Sequence, residues 1–231
     1  MGPTLLAMGA HYDDCPFGIP GIMLCAVQKG YRVVAVAIIG DYSNFPPAEG
    51  RGAAFVQGTA RLAAEYGVEM RFLDLGLASM AIEETQETKL ALARIVAETA
   101  PDVGFVLWPQ DRHADHGPAA RLSEVALRHA GTLLDDRSVR PVRRLYAYDN
   151  GPRHTVGFEP DTYVDVTDVW PRAREWLGRL MALAHDRPYD PNADDPAVQL
   201  KETLARYRGA ACGVRYAEAV RSLGPYTQEI L

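Results

Sequence analysis

The stretch "LLAMGAHYDDCPFGIPGIML" (Leu5–Leu24) joins a short apolar run to a segment of helical character. The run before His11 is continuous and of strand length, which is typical of a strand buried on both faces of a sheet. Two adjacent carboxylates, Asp13 and Asp14, follow the imidazole at once. Neighbouring like charges disfavour ionisation unless a cation or hydrogen bonds compensate them. The stretch therefore predicts a buried strand that is followed directly by a candidate functional site.

Strand-like runs and helical patterns alternate outward from this stretch. In chain order they are Thr4–Ala10, Gly21–Lys29, Tyr31–Ile39, Ala53–Gly67, Val68–Leu75, Glu83–Thr99 and Val103–Pro109. Such a strand–helix–strand rhythm predicts a parallel sheet covered by helices on both faces.

The pattern changes beyond about residue 140. Further strands are predicted in Val142–Asp149 and Thr162–Trp170, and helices near Pro171–His185 and Pro196–Ala211. We therefore expect an α/β, Rossmann-like three-layer fold with a mostly parallel sheet and a C-terminal strand and helix extension. A single domain would span residues 1–231, with a parallel core over 1–140 and an extension over 141–231 that completes the pocket.

The composition excludes several classes of protein. A net charge of −6 argues against a dedicated nucleic-acid binder, which would usually have a basic face. No apolar stretch approaches the ~18 residues that a membrane span needs. The N-terminus lacks the pattern of a signal peptide, and three cysteines in a chain of 231 residues are typical of reduced thiols. We expect a cytoplasmic enzyme or binding protein.

A second group of polar residues follows the Val103–Pro109 strand, in "WPQDRHADHGP" (Trp108–Pro118). Because ligands gather beyond the C-terminal ends of parallel strands, this group and the one after the first strand belong at one sheet edge. Asp41 ends another strand there. His11 and Asp14, with the distant pair His113 and His116, fit a metal site, since catalytic zinc usually takes three protein ligands and leaves one position for water.

Four motifs in order carry a family resemblance. "GAHYDDC" resembles the A-H-P-D-D motif of the PIG-L/LmbE-like zinc-dependent N-deacetylases, and "DRHADH" resembles their H-x-D-H motif. "YVDVTD" and "GVRYAEAVRSL" are similar to the late strand and C-terminal segment of that family. The pattern with Cys15 directly after the two acids is most similar to the diacetylchitobiose deacetylase branch of the family.

The resemblance implies a role for each matching residue. His11, Asp14 and His116 would hold Zn²⁺, and Asp13 would be the general base that takes a proton from water. His113 would stabilise the oxyanion or protonate the leaving amine, with Asp115 as its orienting partner. The reaction that the resemblance implies is hydrolysis of an N-acyl group, with N-acetyl as the expected type, from a small molecule that contains an amino sugar.

Four residues are weaker candidates for substrate contact: Asp41, Arg51, Arg112 and His154. Arg112 would contact sugar hydroxyls or pair with Asp111, and His154 lies in "DNGPRHTVGF", a loop expected to fold over the pocket. Tyr12 replaces the usual proline of the motif. It would pack in place of that proline or reach into the pocket.

Other interpretations remain open at this point. They are hydrolysis of a different amide, a non-haem iron oxygenase with two histidines and a carboxylate, and a non-catalytic metal- or nucleotide-binding module. No G-x-G-x-x-G follows the first strand, and two acids there would repel a phosphate. A homo-oligomer is possible within the resemblance, with "SLGPYTQEIL" (222–231) near a neighbour's pocket.

Overall fold

The computed structural model describes residues 2–225, and the strands within them form one seven-stranded sheet. The strands are β1 (Thr4–Gly9), β2 (Arg32–Ala37), β3 (Val68–Phe72), β4 (Val103–Leu107), β5 (Arg144–Tyr148), β6 (Thr162–Asp165) and β7 (Ala217–Ser222). Their order across the sheet is β3-β2-β1-β4-β5-β7-β6. Strands β1 to β5 are parallel, whereas β7 is antiparallel to both of its neighbours.

Seven α-helices connect or follow these strands within the described residues. They are α1 (Asp14–Gly18), α2 (Pro20–Gln28), α3 (Gly52–Glu65), α4 (Gln86–Thr99), α5 (His116–Leu133), α6 (Trp170–Ala184) and α7 (Pro196–Cys212). Side-chain caps start two of them. Thr85 accepts a hydrogen bond from Thr88 at the start of α4, and Asp195 accepts from Ala197 at the start of α7. The predicted α/β fold with a mostly parallel sheet is confirmed.

The strand order fixes where a ligand site belongs. The chain runs from β1 outward to β2 and β3, and then crosses to the other side of β1 to form β4. The strand order therefore reverses between β1 and β4. Open parallel sheets bind ligands beyond the carboxyl ends of their strands at such a point.

The C-terminal extension differs from the sequence-based expectation. The strand predicted over Thr162–Trp170 ends at Asp165, because α6 begins at Trp170. The segment "AEAVRS" (Ala217–Ser222), part of the fourth motif of the family resemblance, forms β7 between β5 and β6. Part of the 222–231 segment, which we expected near an oligomer interface, lies outside the described residues from 226 onward.

Two buried ion pairs join α7 to the rest of the fold, and we call them the α7 ion pairs. Lys201 Nζ lies 2.9 Å from Glu218 Oε1, and Arg208 Nη2 lies 2.9 Å from Asp149 Oδ1. Glu218 also accepts hydrogen bonds from the backbone N–H groups at the start of α2, at 3.0 and 2.8 Å. Glu218 therefore anchors the C-terminal segment to α2 and α7.

No helix within residues 2–225 is both long enough and apolar enough to cross a membrane. The cytoplasmic location stays a prediction.

Candidate metal centre

The structure brings together the two polar segments that follow β1 and β4. The strands pair in parallel, with Leu5 opposite Val103 and Ala7 opposite Phe105, so their carboxyl ends meet at one edge of the sheet. His11 and Asp14 lie beyond β1, and His116 starts α5 beyond β4. Residues about one hundred positions apart in the chain therefore share one site.

Two imidazoles face one carboxylate at the centre of this site. His11 Nδ1 lies 3.6 Å from Asp14 Oδ2, and His116 Nε2 lies 3.3 Å from Asp14 Oδ1. Asp14 and His116 are buried, while His11 is partly exposed. These are the three side chains that the sequence predicted as metal ligands, and Asp14 lies within 3.6 Å of both histidines.

A second carboxylate lies against the far side of each imidazole. Asp115 Oδ2 is 3.0 Å from His11 Nε2, and Asp111 Oδ1 is 3.1 Å from His116 Nδ1. A carboxylate on the outer nitrogen fixes the ring orientation of a metal-binding histidine and raises the basicity of the inner nitrogen. Both histidines direct their other nitrogen at Asp14, and His116 Nδ1 meets Asp111 at ion-pair distance without a hydrogen bond.

The electrostatics of the centre favour a bound cation. Burial opposes the charged form of His116, but the Asp14 carboxylate and Asp111 outweigh burial and raise the His116 pKa to about 10. Burial also opposes the charged form of His11, and there Asp115 and Asp14 raise the pKa to about 9. Despite burial, His116 and His11 hold the pKa of Asp14 well below its usual range. The carboxylates thus attract positive charge, which a dication can supply in place of the two protons.

Local backbone geometry fixes the position of Asp14. Its Oδ2 accepts hydrogen bonds from the N–H groups of Ala10 and His11, at 2.7 and 2.8 Å. A Cβ on Gly9 would lie 2.6 Å from Asp14 Cβ, so the turn requires glycine at the end of β1. Because Gly9 has no side chain, the Asp14 carboxylate can lie against the end of β1 and accept these two hydrogen bonds.

Asp13 borders the same cavity without contacting His11 or His116 through its side chain at hydrogen-bond distance. Burial, together with the charge of Asp14, raises the pKa of its carboxyl group to about 6. A carboxylate with that pKa is ionised at neutral pH and is a stronger base than an exposed aspartate. Asp13 thus has the position and the basicity to accept a proton from water.

His113 packs face to face on His116, with ring centroids 4.7 Å apart. Burial and the neighbouring imidazoles lower its pKa, which keeps the ring neutral. The backbone N–H of Asp115 donates to His113 Nδ1 at 3.2 Å, so the ring hydrogen of the neutral form lies on Nε2. Asp115, the predicted orienting partner of His113, contacts that ring through its backbone N–H, while its carboxylate accepts hydrogen bonds from the backbone N–H groups of Met80 and Ile82 and lies 3.0 Å from His11 Nε2.

Two sets of three donors meet a metal-binding spacing within residues 2–225. Nitrogens of His11, His113 and His116 lie within 4.8 Å of one another, as do donor atoms of Asp111, His116 and His154. Both sets include His116, whereas neither includes Asp14, the carboxylate that the sequence predicted as a ligand.

A cavity of about 590 Å³ opens over the centre. Its walls combine the predicted site residues with apolar side chains from several elements: Phe17, Phe45, Pro46, Met181, Pro196, Ala197 and Leu200. Concave, mostly apolar cavities with a few convergent polar groups are the usual form of small-molecule sites.

Comparison with known proteins decides the family. Residues 6–127, which include both polar segments, match the family model described as PIG-L, GlcNAc-PI de-N-acetylase. The chain belongs to the PIG-L family. It is by that membership an enzyme of the N-deacetylase class.

The PIG-L assignment agrees with the similarity to individual proteins. The chain is 25% identical over 232 residues to the diacetylchitobiose deacetylase of Thermococcus kodakarensis, covering 94% of this chain and 82% of that protein. The fold matches N,N'-diacetylchitobiose deacetylase from Pyrococcus horikoshii with a TM-score of 0.76 at 20% identity, over 95% and 83% of the two chains. It also matches GalB, the 4-carboxy-2-hydroxymuconate hydratase of Pseudomonas putida KT2440, with a TM-score of 0.83 at 18% identity over 100% of both.

Two arginines predicted to contact substrate do not line the cavity of this PIG-L protein. The Arg51 guanidinium donates to the carbonyl groups of Pro47 and Ala184 and forms an ion pair with Asp186, so it joins α3 to the end of α6. Arg112 is exposed outside the cavity, and it does not pair with Asp111 within the described residues. Substrate contact by Arg51 and Arg112 therefore stays a prediction that the cavity lining does not support.

The other two predicted contacts do reach the cavity. Asp41 and His154 both line it. The Asp41 carboxylate accepts a hydrogen bond from the Ser43 N–H at 2.8 Å, and the His154 ring lies 5.6 Å from that of His116. Their positions are compatible with substrate contact.

Tyr12, which stands where the motif usually has proline, packs against aromatic side chains and also lines the cavity. The side chain is buried against Tyr42, Phe45 and Phe55, and its backbone N–H donates to the Tyr42 hydroxyl. It therefore stiffens the turn between His11 and Asp13 from the side. Cys15 is buried beside the Tyr148 hydroxyl, and burial raises the pKa of its thiol to about 12, which disfavours the thiolate form that binds zinc.

Sequence reasoning missed Asn150, which belongs to the PIG-L centre of this chain. Its Nδ2 donates to Asp14 Oδ1 at 2.5 Å, and its buried Oδ1 has no partner within the described residues. Asn150 directly follows the Arg144–Tyr148 strand and Asp149. The rule that gathered the acids after β1 and β4 at one sheet edge also applies to this residue.

Proposed function

We propose that this PIG-L protein hydrolyses the N-acetyl group of a small molecule that contains an amino sugar, releasing acetate and a free amine. In this proposal His11, Asp14 and His116 hold one zinc ion. The observation that carries it is the arrangement of two imidazoles on one buried carboxylate, each with a further carboxylate on its outer nitrogen.

The donor set fits zinc. Two neutral imidazoles and one carboxylate are common ligands of catalytic zinc, and the open cavity leaves room for water and substrate. When bound, zinc lowers the pKa of water toward ~7 and polarises the carbonyl of the amide.

Asp13 is the proposed general base. It is adjacent to Asp14 in the chain and borders the cavity, so its carboxylate accepts the proton of the attacking water. Its raised pKa supports this role, since a base near neutral pKa takes up a proton more readily than an ordinary aspartate. The same carboxyl group can then pass the proton to the departing nitrogen.

His113 is the proposed stabiliser of the oxyanion. The hydrogen bond from the Asp115 N–H to Nδ1 leaves Nε2 as the donor of the neutral ring. An N–H aimed at the oxygen on which charge develops stabilises the transition state more than the ground state. Asp115 acts as a positioning residue twice, through its backbone on His113 and through its carboxylate on His11.

Acetate release tests the proposal. The zinc-loaded protein is incubated with N-acetylglucosamine, diacetylchitobiose and other N-acetylated amino sugars, while elemental analysis measures metal content. We expect acetate from at least one compound, about one zinc per chain in the wild type, and loss of zinc from His116→Ala. If the zinc-loaded protein released no acetate from any compound of the panel, the deacetylase activity would be refuted. Full zinc content in folded His116→Ala would refute His116 as a zinc ligand.

A second candidate is addition of water to a carbon–carbon double bond conjugated to carboxylates. The observation that favours it is the TM-score of 0.83 with the P. putida hydratase over the whole of both chains. The same centre would activate water there, and no amine would leave. A parallel assay of a hydroxymuconate-type tricarboxylate, followed by ultraviolet absorbance, separates the two activities.

A further inference from the structure

One permanent cation lines the cavity. Among its described lining residues, Arg153 is the single arginine or lysine, whereas four aspartates contribute to the same walls. Of these acids, Asp14 belongs to the metal centre and Asp195 forms an ion pair with Arg187 at 2.7 Å. Arg153, an exposed residue, is therefore the one arginine or lysine side chain that the described cavity wall offers to a ligand.

The Arg153 side chain has no partner within residues 2–225. No ion pair or hydrogen bond joins its guanidinium group to a carboxylate or a carbonyl oxygen there. Other arginines near the cavity are engaged by the protein itself: Arg187 holds Asp195, and Arg208 holds Asp149. The guanidinium of Arg153 is thus available to a ligand.

The loop that carries Arg153 is held at both ends. At its start, Asp149 pairs with Arg208, and the Asn150 side chain donates to Asp14. At its end, Thr155 donates to Asp111 at 3.2 Å and pairs with it in an isolated β-bridge. The loop is therefore fixed to both polar segments of the metal centre.

This anchoring keeps Arg153 beside the reacting end of the cavity. The next residue, His154, has its ring 5.6 Å from the His116 ring, and its Nδ1 lies 4.0 Å from Asp111. On the other side, Phe17 and Leu200 approach the loop at Gly151. A ligand bound at the centre consequently meets a cation and an apolar wall together.

Guanidinium groups suit one chemical class of ligand. Their planar set of donors matches the two oxygens of a carboxylate or a phosphate, and such charge-assisted pairs are the strong hydrogen bonds of binding sites. A neutral sugar would leave the Arg153 charge unpaired. We propose that Arg153 forms an anion subsite, so that the substrate carries a carboxylate or phosphate next to the group that reacts.

This inference rests on the proposed function for the location of the reacting group, but binding tests it without turnover. The probes are three N-acetylglucosamine derivatives that differ only at C1: the methyl glycoside, the carboxymethyl glycoside and the 1-phosphate. Calorimetry measures their dissociation constants with the zinc-loaded Asp13→Asn protein, in which hydrolysis is suppressed. The same measurement is repeated with Arg153→Gln, Arg153→Lys or Arg140→Gln added.

We expect at least one anionic probe to bind about tenfold or more tightly than the methyl glycoside. Arg153→Gln should abolish that preference, and Arg153→Lys should keep part of it. Arg140→Gln should leave it unchanged, because Arg140 is an exposed arginine outside the cavity. The tighter of the two anionic probes identifies the carboxylate or the phosphate as the recognised group.

Equal binding of the three probes would overturn the anion subsite. So would absence of binding by both anionic probes at millimolar concentration, or a preference that survives Arg153→Gln. Failure of the proposed function is distinguishable from these results. In that case the wild type releases no acetate from any probe, whereas the charge preference and its loss in Arg153→Gln persist.

Discussion

The fold contains two buried clusters of charged side chains, and they differ in the ratio of carboxylates to cations. The α7 ion pairs match each carboxylate with one cation of the protein, Lys201 with Glu218 and Arg208 with Asp149. The metal centre instead surrounds the imidazoles of His11 and His116 with the carboxylates of four aspartates: Asp13, Asp14, Asp111 and Asp115. Within the described residues, none of these contacts comes from a lysine or an arginine.

The difference in the ratio of carboxylates to cations indicates which cluster is structural and which one binds a ligand. A buried charge is costly unless it is paired, so a cluster that neutralises itself needs nothing from solvent. A cluster with excess carboxylates is stable only with protons or a cation from outside. The α7 ion pairs therefore hold the fold together, and the metal centre is the part that binds a ligand.

The largest expected effect is on turnover, and it comes from Asp13→Asn. The amide cannot accept the proton of water, so kcat should fall by about 10²- to 10⁴-fold. Zinc content should stay at the wild-type level, because Asp13 is not one of the proposed ligands. Steady-state acetate release and elemental analysis measure the two quantities, with Asp136→Asn on the surface as the control. Equal loss of zinc and turnover would contradict the role of Asp13.

The next effect is on stability, and it tests the balanced cluster. Lys201→Met leaves Glu218 buried without its cation, which should lower the free energy of unfolding by about 3–5 kcal/mol. Denaturant titration measures the loss, and Lys201→Met with Glu218→Gln should recover part of it. The exposed Lys29→Met is the control. If Lys201→Met weakened zinc binding in the folded protein with unchanged stability, the two clusters would not be separate.

A smaller effect distinguishes the outer carboxylates of the unbalanced cluster. Asp115→Asn keeps the size of the side chain but removes the charge behind His11, so zinc affinity should fall by about 10- to 100-fold. Competition with a chelator measures it. Asp111→Asn is the matched variant behind His116, and a similar loss is expected. An affinity within twofold of the wild type in both would show that these carboxylates do not support the ligands.

The smallest effect belongs to a charge outside both clusters. Arg51→Gln removes hydrogen bonds to Pro47 and Ala184, which should cost about 1 kcal/mol of stability. KM should not change, because Arg51 does not line the cavity. Thermal unfolding and acetate release measure both. A tenfold rise in KM at unchanged stability would restore Arg51 as a substrate contact.

The sheet and the meeting of the two polar segments could be predicted from the sequence for one physical reason. Parallel strands end at the same edge, so residues that follow β1 and β4 must approach each other regardless of their separation in the chain. His11, Asp14 and His116 obey this rule. So does Asn150, which the sequence reasoning missed because a neutral amide side chain carries little chemical signal by itself.

Side-chain direction within the turns was beyond the same reasoning. Asp115 is two residues from His113, yet its carboxylate reaches His11 from the other segment. Irregular backbone between β4 and α5 has no periodicity from which such directions follow. The placement of β7 could not be predicted from local sequence patterns either, because long-range packing specifies an antiparallel strand between β5 and β6.

The position of β7 has a consequence for synthesis of the chain. β6 is made before β7, but β7 is its neighbour in the sheet and separates it from β5. A nascent chain that ends before residue 217 therefore lacks the partner of β6, and the carboxylate that meets the start of α2 is also absent. The sheet can therefore be completed, and Glu218 can reach the start of α2, only after residues 217–222 have been synthesised.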